Sequence, residues 1–339
     1  MVRYLLCFAL LCGCKKAAPI ADAGSPDAGQ EVTVREKVIR APVVITVAAP
    51  PSPAVEAAIE AAFAEVESLD DVLSDWKEKS ELVAFNQHAG EGPQKVSPTL
   101  FELLKTARGY AEASGGAFDP TFASLHGLWS FNAEAPRKPT DAELKERLPL
   151  VGWQQLVLDE KAQTAALTKK GVRVGLGAVG DGFAAQRASQ VLIGKGFPNH
   201  LVLIGGDGVA RGVRYERPWR IAIRDPQTGG FYGAVDLHDE GVSTSGSYQK
   251  FFELDGVRYH HIINPRTGYP ARGTTAVTVL AKDARLADGW GTTLFVLGPD
   301  AGYPVAVKNG LEVLWFDEAY QVSGTPGMLG RIKKVELPK

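Results

Sequence analysis

The chain has 339 residues, 45% hydrophobic and 22% charged, a composition that excludes a polytopic membrane protein, a collagen and a disordered chain. Its formal net charge of -2, from 37 basic and 39 acidic residues, gives no basic excess for nucleic-acid binding. The three cysteines are Cys7, Cys12 and Cys14, so the body has no disulfide framework, cysteine nucleophile or thiolate metal site.

Residues 1–13, MVRYLLCFALLCG, combine Arg3 with an apolar run from Tyr4 to Cys12. The run is too short to span a bilayer of ~30 Å and fits a secretory signal. The segment Leu11-Cys12-Gly13-Cys14 resembles a bacterial lipobox, with Cys14 as the residue to be lipidated. The expected location is therefore the bacterial cell envelope, anchored through Cys14 and facing the periplasm. Lys15 and Lys16 slightly favour the outer membrane. Residues 14–34 read as a flexible tether, because AAPIADAGSPDAGQ contains little that packs. Residues 35–339 read as one domain.

Residues 38–48 (VIRAPVVITVA) predict a strand. Ser52-Pro53 marks a helix start, followed by Val55, Ile59, Phe63, Val66 and Leu69 at helical spacing. Ser97-Pro98 repeats the signal, with Gly115 as a helix stop. Thr140 and Glu143 form a capping box. Strands are expected near 155–159, 163–168 and 171–176, and a helix over 182–193 capped by Asp181. Strands follow near 200–205, 219–224, 233–238, 257–263 and 274–281. Helices at 284–297 and 301–309 and strands at 312–316 and 331–335 close the chain. Without regular βαβ alternation this order predicts an α+β fold.

Gly175-Leu-Gly177-Ala-Val-Gly180 spells G-x-G-x-x-G, the dinucleotide-binding pattern. No acidic residue closes the next strand about 20 residues on, as a nicotinamide fold requires. What survives is the general affinity of glycine-rich backbone at a helix start for phosphate.

Asp288 and Thr292 stand at i and i+4 on one predicted helix, so their oxygens share a face. A carboxylate and a hydroxyl suit Mg²⁺, and they equally suit an exposed polar pair. His260 and His261 lie in a predicted strand and point to opposite sides, so at most one faces a common site.

Five segments carry a resemblance: SGGAFDPT (114–121), GLGAVGDGF (175–183), LIGGDGVARG (203–212), STSGSYQKFF…YHHIINPRTGYP (243–270) and LADGWGTTLFVLG (286–298). In this order they resemble the ApbE family of FAD:protein FMN transferases over about residues 38–310. The resemblance implies a T-fold-type α+β architecture of mixed, mostly antiparallel sheets with packed helices. It implies an Mg²⁺-dependent enzyme of the cell envelope that cleaves FAD, transfers FMN to a Thr or Ser hydroxyl of an exported protein and releases AMP. The acceptor would carry a D-[SG]-[AS]-T-like motif.

The resemblance makes the Ala178 backbone carbonyl a third metal ligand beside Asp288 and Thr292. It makes His261 the candidate for the acceptor proton, against a structural histidine in the sheet. It places Ile262 against FAD through backbone, and Ala117, Phe118 and Asp119 against the flavin, with a core phenylalanine as the plainer reading of Phe118. Trp76, after Leu73-Ser74, offers a ring to stack on, and Ser80-Glu81-Leu82 with Asn86 matches an S-E-L…N element.

Four positions depart from the family pattern D-L-G-G-I-A-K-G-Y and its surroundings. Gly175 stands for the Asp, Asp181 for the Lys, Gln186 for an acidic residue, and Ile39-Arg40-Ala41 for M-G-T. A carboxylate at Asp181 beside a pyrophosphate weakens FAD binding unless a cation lies between them. The residues therefore leave three readings open: flavin transferase, FAD pyrophosphatase giving free FMN and AMP, and a flavin-binding lipoprotein without turnover.

Overall fold

A computed structural model describes residues 31–39, 41–131 and 134–334. The leader, Cys14, the tether up to residue 30 and Arg40 lie outside these residues. The elements, in order, are β1 (Thr33–Val38), β2 (Pro42–Val47), α1 (Pro53–Leu73), α2 (Glu81–Gln87), β3 (Gln94–Lys95), α3 (Pro98–Ala113), α4 (Asp141–Arg147), β4 (Leu156–Asp159), β5 (Thr164–Leu167), α5 (Gly177–Gly194), β6 (His200–Ile204), β7 (Asp207–Arg211), β8 (Trp219–Arg224), β9 (Phe231–Leu237), β10 (Gly241–Gly246), β11 (Phe251–Leu254), β12 (Val257–His260), β13 (Ala276–Ala281), α6 (Ala284–Lys308), β14 (Glu312–Phe316), β15 (Val322–Gly324) and α7 (Pro326–Arg331).

The centre is an eight-stranded sheet in the order β1-β2-β6-β7-β10-β13-β14-β15. Each neighbouring pair is antiparallel. Both faces of its middle are covered, so these strands read as continuous apolar runs. In β6, Val202 and Ile204 join the core under α1, α5 and α6. Leu201 and Leu203 join a second core under the β8–β9 hairpin and Met328 of α7. Val277 and Val279 of β13 face the first core, and Ala276 and Leu280 the second. This period-2 division fixes the register.

The helix signals hold where caps are local. Ser52, Ser97 and Thr140 cap α1, α3 and α4 through side-chain oxygens, and Glu143 completes the box. The predicted strand at 38–48 is instead a hairpin, with β1 and β2 joined through 39–41. β7, β10 and β11 carry no strong apolar alternation and were not expected. The predicted strand at 331–335 is the end of α7 plus an isolated bridge between Ala234 and Lys333. The two expected C-terminal helices form one run, α6, kinked at Gly298 with φ 71°.

Two differences bear on the site. Residues 171–176 form no strand, because a side chain replaces the partner strand. Asn86 Nδ2 donates to the Val174 carbonyl at 2.9 Å, and the Val174 amide donates to Asn86 Oδ1 at 2.8 Å. The Gly175 amide donates to the Pro120 carbonyl at 2.9 Å. Helix α5 begins at Gly177, with Leu176 as its N-cap residue. Asp181 is therefore inside the helix, and the expectation that it caps the helix is corrected. Packing of α5 between α1 and α6 overrides the poor helix propensity of Gly177, Gly180 and Gly182.

Candidate active site at the junction of α5 and α6

Gly182 marks the place where α5 meets α6. A Cβ at this buried position would lie 2.3 Å from the Ala284 carbonyl oxygen and 2.5 Å from Asp288 Cβ. Glycine alone permits the approach. The Gly182 amide donates to Asp288 Oδ2 at 2.8 Å. In an α-helix that amide points at the carbonyl four residues back, here that of Ala178. Ala178 thus stands one turn before Gly182 on the same face of α5, the face that meets the Asp288 carboxylate. Thr292 follows one turn along the same face of α6. The three are hard oxygen donors, a set that suits Mg²⁺. Among the described residues no group of three or more His, Cys, Asp or Glu side chains is placed to hold a metal, so any metal here relies on the hydroxyl and the carbonyl.

Two further glycines seat α6. A Cβ at Gly289 would fall 2.2 Å from Tyr110 Cε2. The Tyr110 ring therefore packs directly on the helix, its hydroxyl donating to the Arg285 carbonyl at 2.9 Å. Burial pushes the Tyr110 phenol well above its ordinary value, with the nearby Asp288 charge adding to the effect. A Cβ at Gly291 would lie 2.8 Å from Ser243 Oγ and 3.3 Å from Ser245 Oγ, so α6 presses on the hydroxyl face of β10. Ser243 Oγ is buried with no hydrogen-bond partner among the described residues.

Asp181 lies about 100° round α5 from Gly182 and faces α1 and the sheet. It shares a narrow cleft with Asp70, Ala41 and Ile204. Its Oδ2 is 3.6 Å from where a Gly205 Cβ would stand. Gly205 and Gly206, with φ of 65° and 141°, form the turn between β6 and β7 in conformations that glycine supplies. This turn and the first half of α5 therefore face each other across the cleft.

The two histidines separate, but the expected strand over 257–263 ends at His260, so the bend at His261, rather than strand alternation, turns that ring away. His260 is buried, and its Nε2–H donates to the Ala271 carbonyl at 2.9 Å. Its Nδ1 accepts from the Ile262 amide at 3.3 Å. The ring meets the edge of Phe295 on α6, with centroids 5.4 Å apart. Burial lowers its pKa to about 4, so it is neutral and structural. His261 is partly exposed, and its Nδ1 lies 3.3 Å from the Lys250 carbonyl at the neck of the β11–β12 hairpin. Ile262 is buried in the main core, and its carbonyl accepts from the Ala271 amide at 2.9 Å.

The Ala117-Phe118-Asp119 segment has structural work. Phe118 packs edge-on against Tyr110 at 5.9 Å, and Ala117 is buried. Asp119 caps a short 3-10 helix, Pro120–Leu125. Its Oδ1 accepts from the Thr121 amide and hydroxyl at 2.8 and 2.6 Å, and its Oδ2 from the Trp153 amide at 2.8 Å. These bonds fix the orientation of the carboxylate that the resemblance directs at the flavin. Burial raises the Asp119 pKa, while the hydrogen bonds to Thr121 and Trp153 oppose the shift. Trp76, in contrast, is 79% exposed.

Sequence reasoning missed Asp75 and His126, which lie beside Trp76 and Gly175. No local pattern signals them, because the 3-10 turn at 120–125 brings residue 126 to residue 76 only in the folded chain.

Known proteins share both the sequence and the architecture. The model of the ApbE family matches residues 33–315. FAD:protein FMN transferase from Treponema pallidum is 33% identical over 304 residues, covering 84% of each chain. The protein of that name from Haemophilus influenzae is 36% identical over 273 residues, covering 76% of this chain and 79% of its own. The crystal structure of the ApbE protein from Thermotoga maritima superposes with a TM-score of 0.82 at 30% identity, over 90% of this chain and 100% of that one. The flavin transferase ApbE from Vibrio cholerae gives 0.78 at 29% identity, over 89% and 99%. On sequence and fold alike, the chain belongs to the ApbE family.

Proposed function

We propose that this protein is an FAD:protein FMN transferase that flavinylates a Thr or Ser hydroxyl of an exported protein and releases AMP. The observation that carries the reading is the hydrogen bond from the Gly182 amide, one helical turn after Ala178, to the Asp288 carboxylate, in a chain whose relatives bear that name. Ala178, Asp288 and Thr292 would hold Mg²⁺, which supplies charge neutralisation at the pyrophosphate. The glycine turn at 205–206 lets backbone come close to the nucleotide. Trp76 offers its exposed indole to a planar ring of FAD. The acceptor hydroxyl attacks the FMN-side phosphorus, a new phosphoester forms, the bridging P–O bond to AMP breaks, and His261 takes the hydroxyl proton.

The leader supports a lipid anchor at Cys14 and an envelope location. Among the described residues no helix is long and apolar enough to cross a membrane.

Incubation with FAD, Mg²⁺ and a target carrying a D-[SG]-[AS]-T acceptor tests the proposal. Covalent flavin on the target together with AMP is the expected result. AMP with free FMN would replace the transferase by a pyrophosphatase. Bound but unchanged FAD would leave a flavin-binding lipoprotein.

A further inference from the structure

Trp76 projects from a turn held by Ser74, Ser80 and the Lys77 ion pairs to Asp70 and Asp71. The Trp76 and Lys77 amides donate to Ser74 Oγ at 3.3 and 3.2 Å, and Ser80 Oγ donates to the Ser74 carbonyl at 2.5 Å. Beside the exposed ring lies a layer of side chains. The His126 imidazole lies nearly parallel to the indole, with centroids 6.1 Å apart and 14° between planes. The edge of Phe122 meets His126 at 5.6 Å and 80°. Asp75 Oδ2 lies 4.0 Å from His126 Nδ1.

Gly175 makes room for this stack. A Cβ there would lie 3.1 Å from Ala123 Cβ, 3.3 Å from Phe122 Cε1 and 3.6 Å from Asp75 Oδ2. A side chain at 175 would press on the floor of the layer. The same glycine leads into the first turn of α5, which carries Ala178. The floor of the layer, Gly175, and one oxygen donor, Ala178, thus lie in one stretch of backbone.

We infer that His126, steadied by Asp75 and Phe122 over Gly175, is a positioning residue that holds the Trp76 indole flat as a shelf for a planar ring of FAD. The inference rests on the flavin-binding reading above and adds to it the residue that shapes the shelf. An indole on a surface turn samples several rotamers. Backing one face with imidazole removes that freedom and leaves the other face open. A ring that lands on a prepared shelf loses less entropy on binding.

The test is FAD binding and turnover by the lipoprotein released from its anchor after Cys14. His126→Ala is expected to raise the Kd and KM for FAD about tenfold, roughly one base-stacking contact, while kcat at saturating FAD falls no more than about twofold. His126→Phe keeps a flat ring and is expected to restore Kd to within about twofold. Trp76→Ala should weaken binding as His126→Ala does, and the double variant should be no worse than Trp76→Ala alone. A readout that a structural role would not move is indole fluorescence against pH. His126 faces Asp75, whose charge favours protonation, and Arg173, whose charge opposes it, and burial lowers its pKa below the usual 6.5. A protonated imidazole quenches a stacked indole, so wild type should dim below pH 6.5, and Trp76→Phe and His126→Phe should lack that component.

An unchanged Kd in His126→Ala, or full additivity with Trp76→Ala, overturns the inference. Wild-type protein that binds FAD without cleaving it would end the transferase reading and leave this one standing. Wild-type protein that does not bind FAD ends both.

Discussion

Gly182 and Asp288 are joined by one hydrogen bond across the closest approach of two helices. The amide of the first holds the carboxylate of the second at 2.8 Å. The packing and the proposed ligand set are therefore one feature. Gly182→Ala places a methyl group 2.5 Å from Asp288 Cβ and must part the helices. A loss of about 1–3 kcal/mol in urea unfolding is expected, together with loss of flavin transfer. Asp288→Asn keeps the shape and an acceptor for the amide but removes the charge. It should fold with stability within about 1 kcal/mol of wild type and need far more Mg²⁺ for half-maximal activity. An unaltered Mg²⁺ titration would remove Asp288 from the ligand set.

Asn86 stands in for a β-strand at Val174. Asn86→Ala leaves the buried Val174 amide and carbonyl without their partner, at about 1–3 kcal/mol for each group. A drop of about 2–4 kcal/mol in urea unfolding is expected. The loop from Val174 to Ala178 should loosen with it, read as faster amide exchange at Gly175 and Leu176.

Two buried histidines set the acid limit of stability. The His200 Nδ1–H donates to the Phe197 carbonyl at 2.7 Å, and its Nε2 accepts from Ser189 Oγ at 2.7 Å. His200 and His260 are both held at about 4 by burial. Unfolded histidine takes up a proton near 6.5, before the folded ring does, so protons favour the unfolded chain. Their contribution is complete above about pH 6.5 and is lost as pH falls toward 4, at up to ~1.4 kcal/mol per pH unit for each ring. Urea midpoints between pH 7 and pH 4.5 should fall accordingly. His260→Gln should be less stable at pH 7 and show a flatter slope below 6.5.

His261 is partly exposed, with its Nδ1 3.3 Å from the Lys250 carbonyl at the hairpin neck. His261→Ala should leave stability within about 0.5 kcal/mol and lower transfer to the acceptor by about 100-fold or more, the range of general-base catalysis. Stopped-time assays of covalent flavin and of AMP check it. A variant that transfers flavin at the wild-type rate would show that the proton leaves by another route.

Asp181 faces the Gly205 turn. Asp181→Asn should tighten FAD binding about threefold at low ionic strength, with the gain shrinking as salt screens it. Asp181→Lys should tighten it further. Flavin fluorescence titrations at two salt concentrations check both, and weaker binding would show that the carboxylate serves the site.

What the sequence revealed follows the range of the interaction concerned. Ser52, Ser97 and the Thr140–Glu143 box act within one helical turn and were legible. The period-2 rule predicted opposite sides for His260 and His261, but the strand stops at His260 and a bend carries His261. The start of α5 was hidden, because glycines at 177, 180 and 182 argue against a helix until α6 is packed on them. The strand β10, Gly241–Gly246, was hidden because its sequence GVSTSG is chosen for contact with α6 rather than for β propensity. Asp288 and Thr292 were visible as a spaced pair, and Ala178 only by family resemblance. That Gly182 joins Asp288 to the first turn of α5 belongs to tertiary structure, as does the layer of His126 behind Trp76.

The ends of the central sheet limit how this molecule meets copies of itself. Its outer strand β1 carries Arg35 and Lys37, bonded to Glu56 and Glu67 of α1, with Glu36 and Val38 on the opposite face. The far edge, β15, is only three residues long. A second chain adding to the first edge would desolvate charges already paired with the helix, and at the second it would find too little backbone to grip. Both borders of the sheet, as described, are thus closed to edge-to-edge stacking.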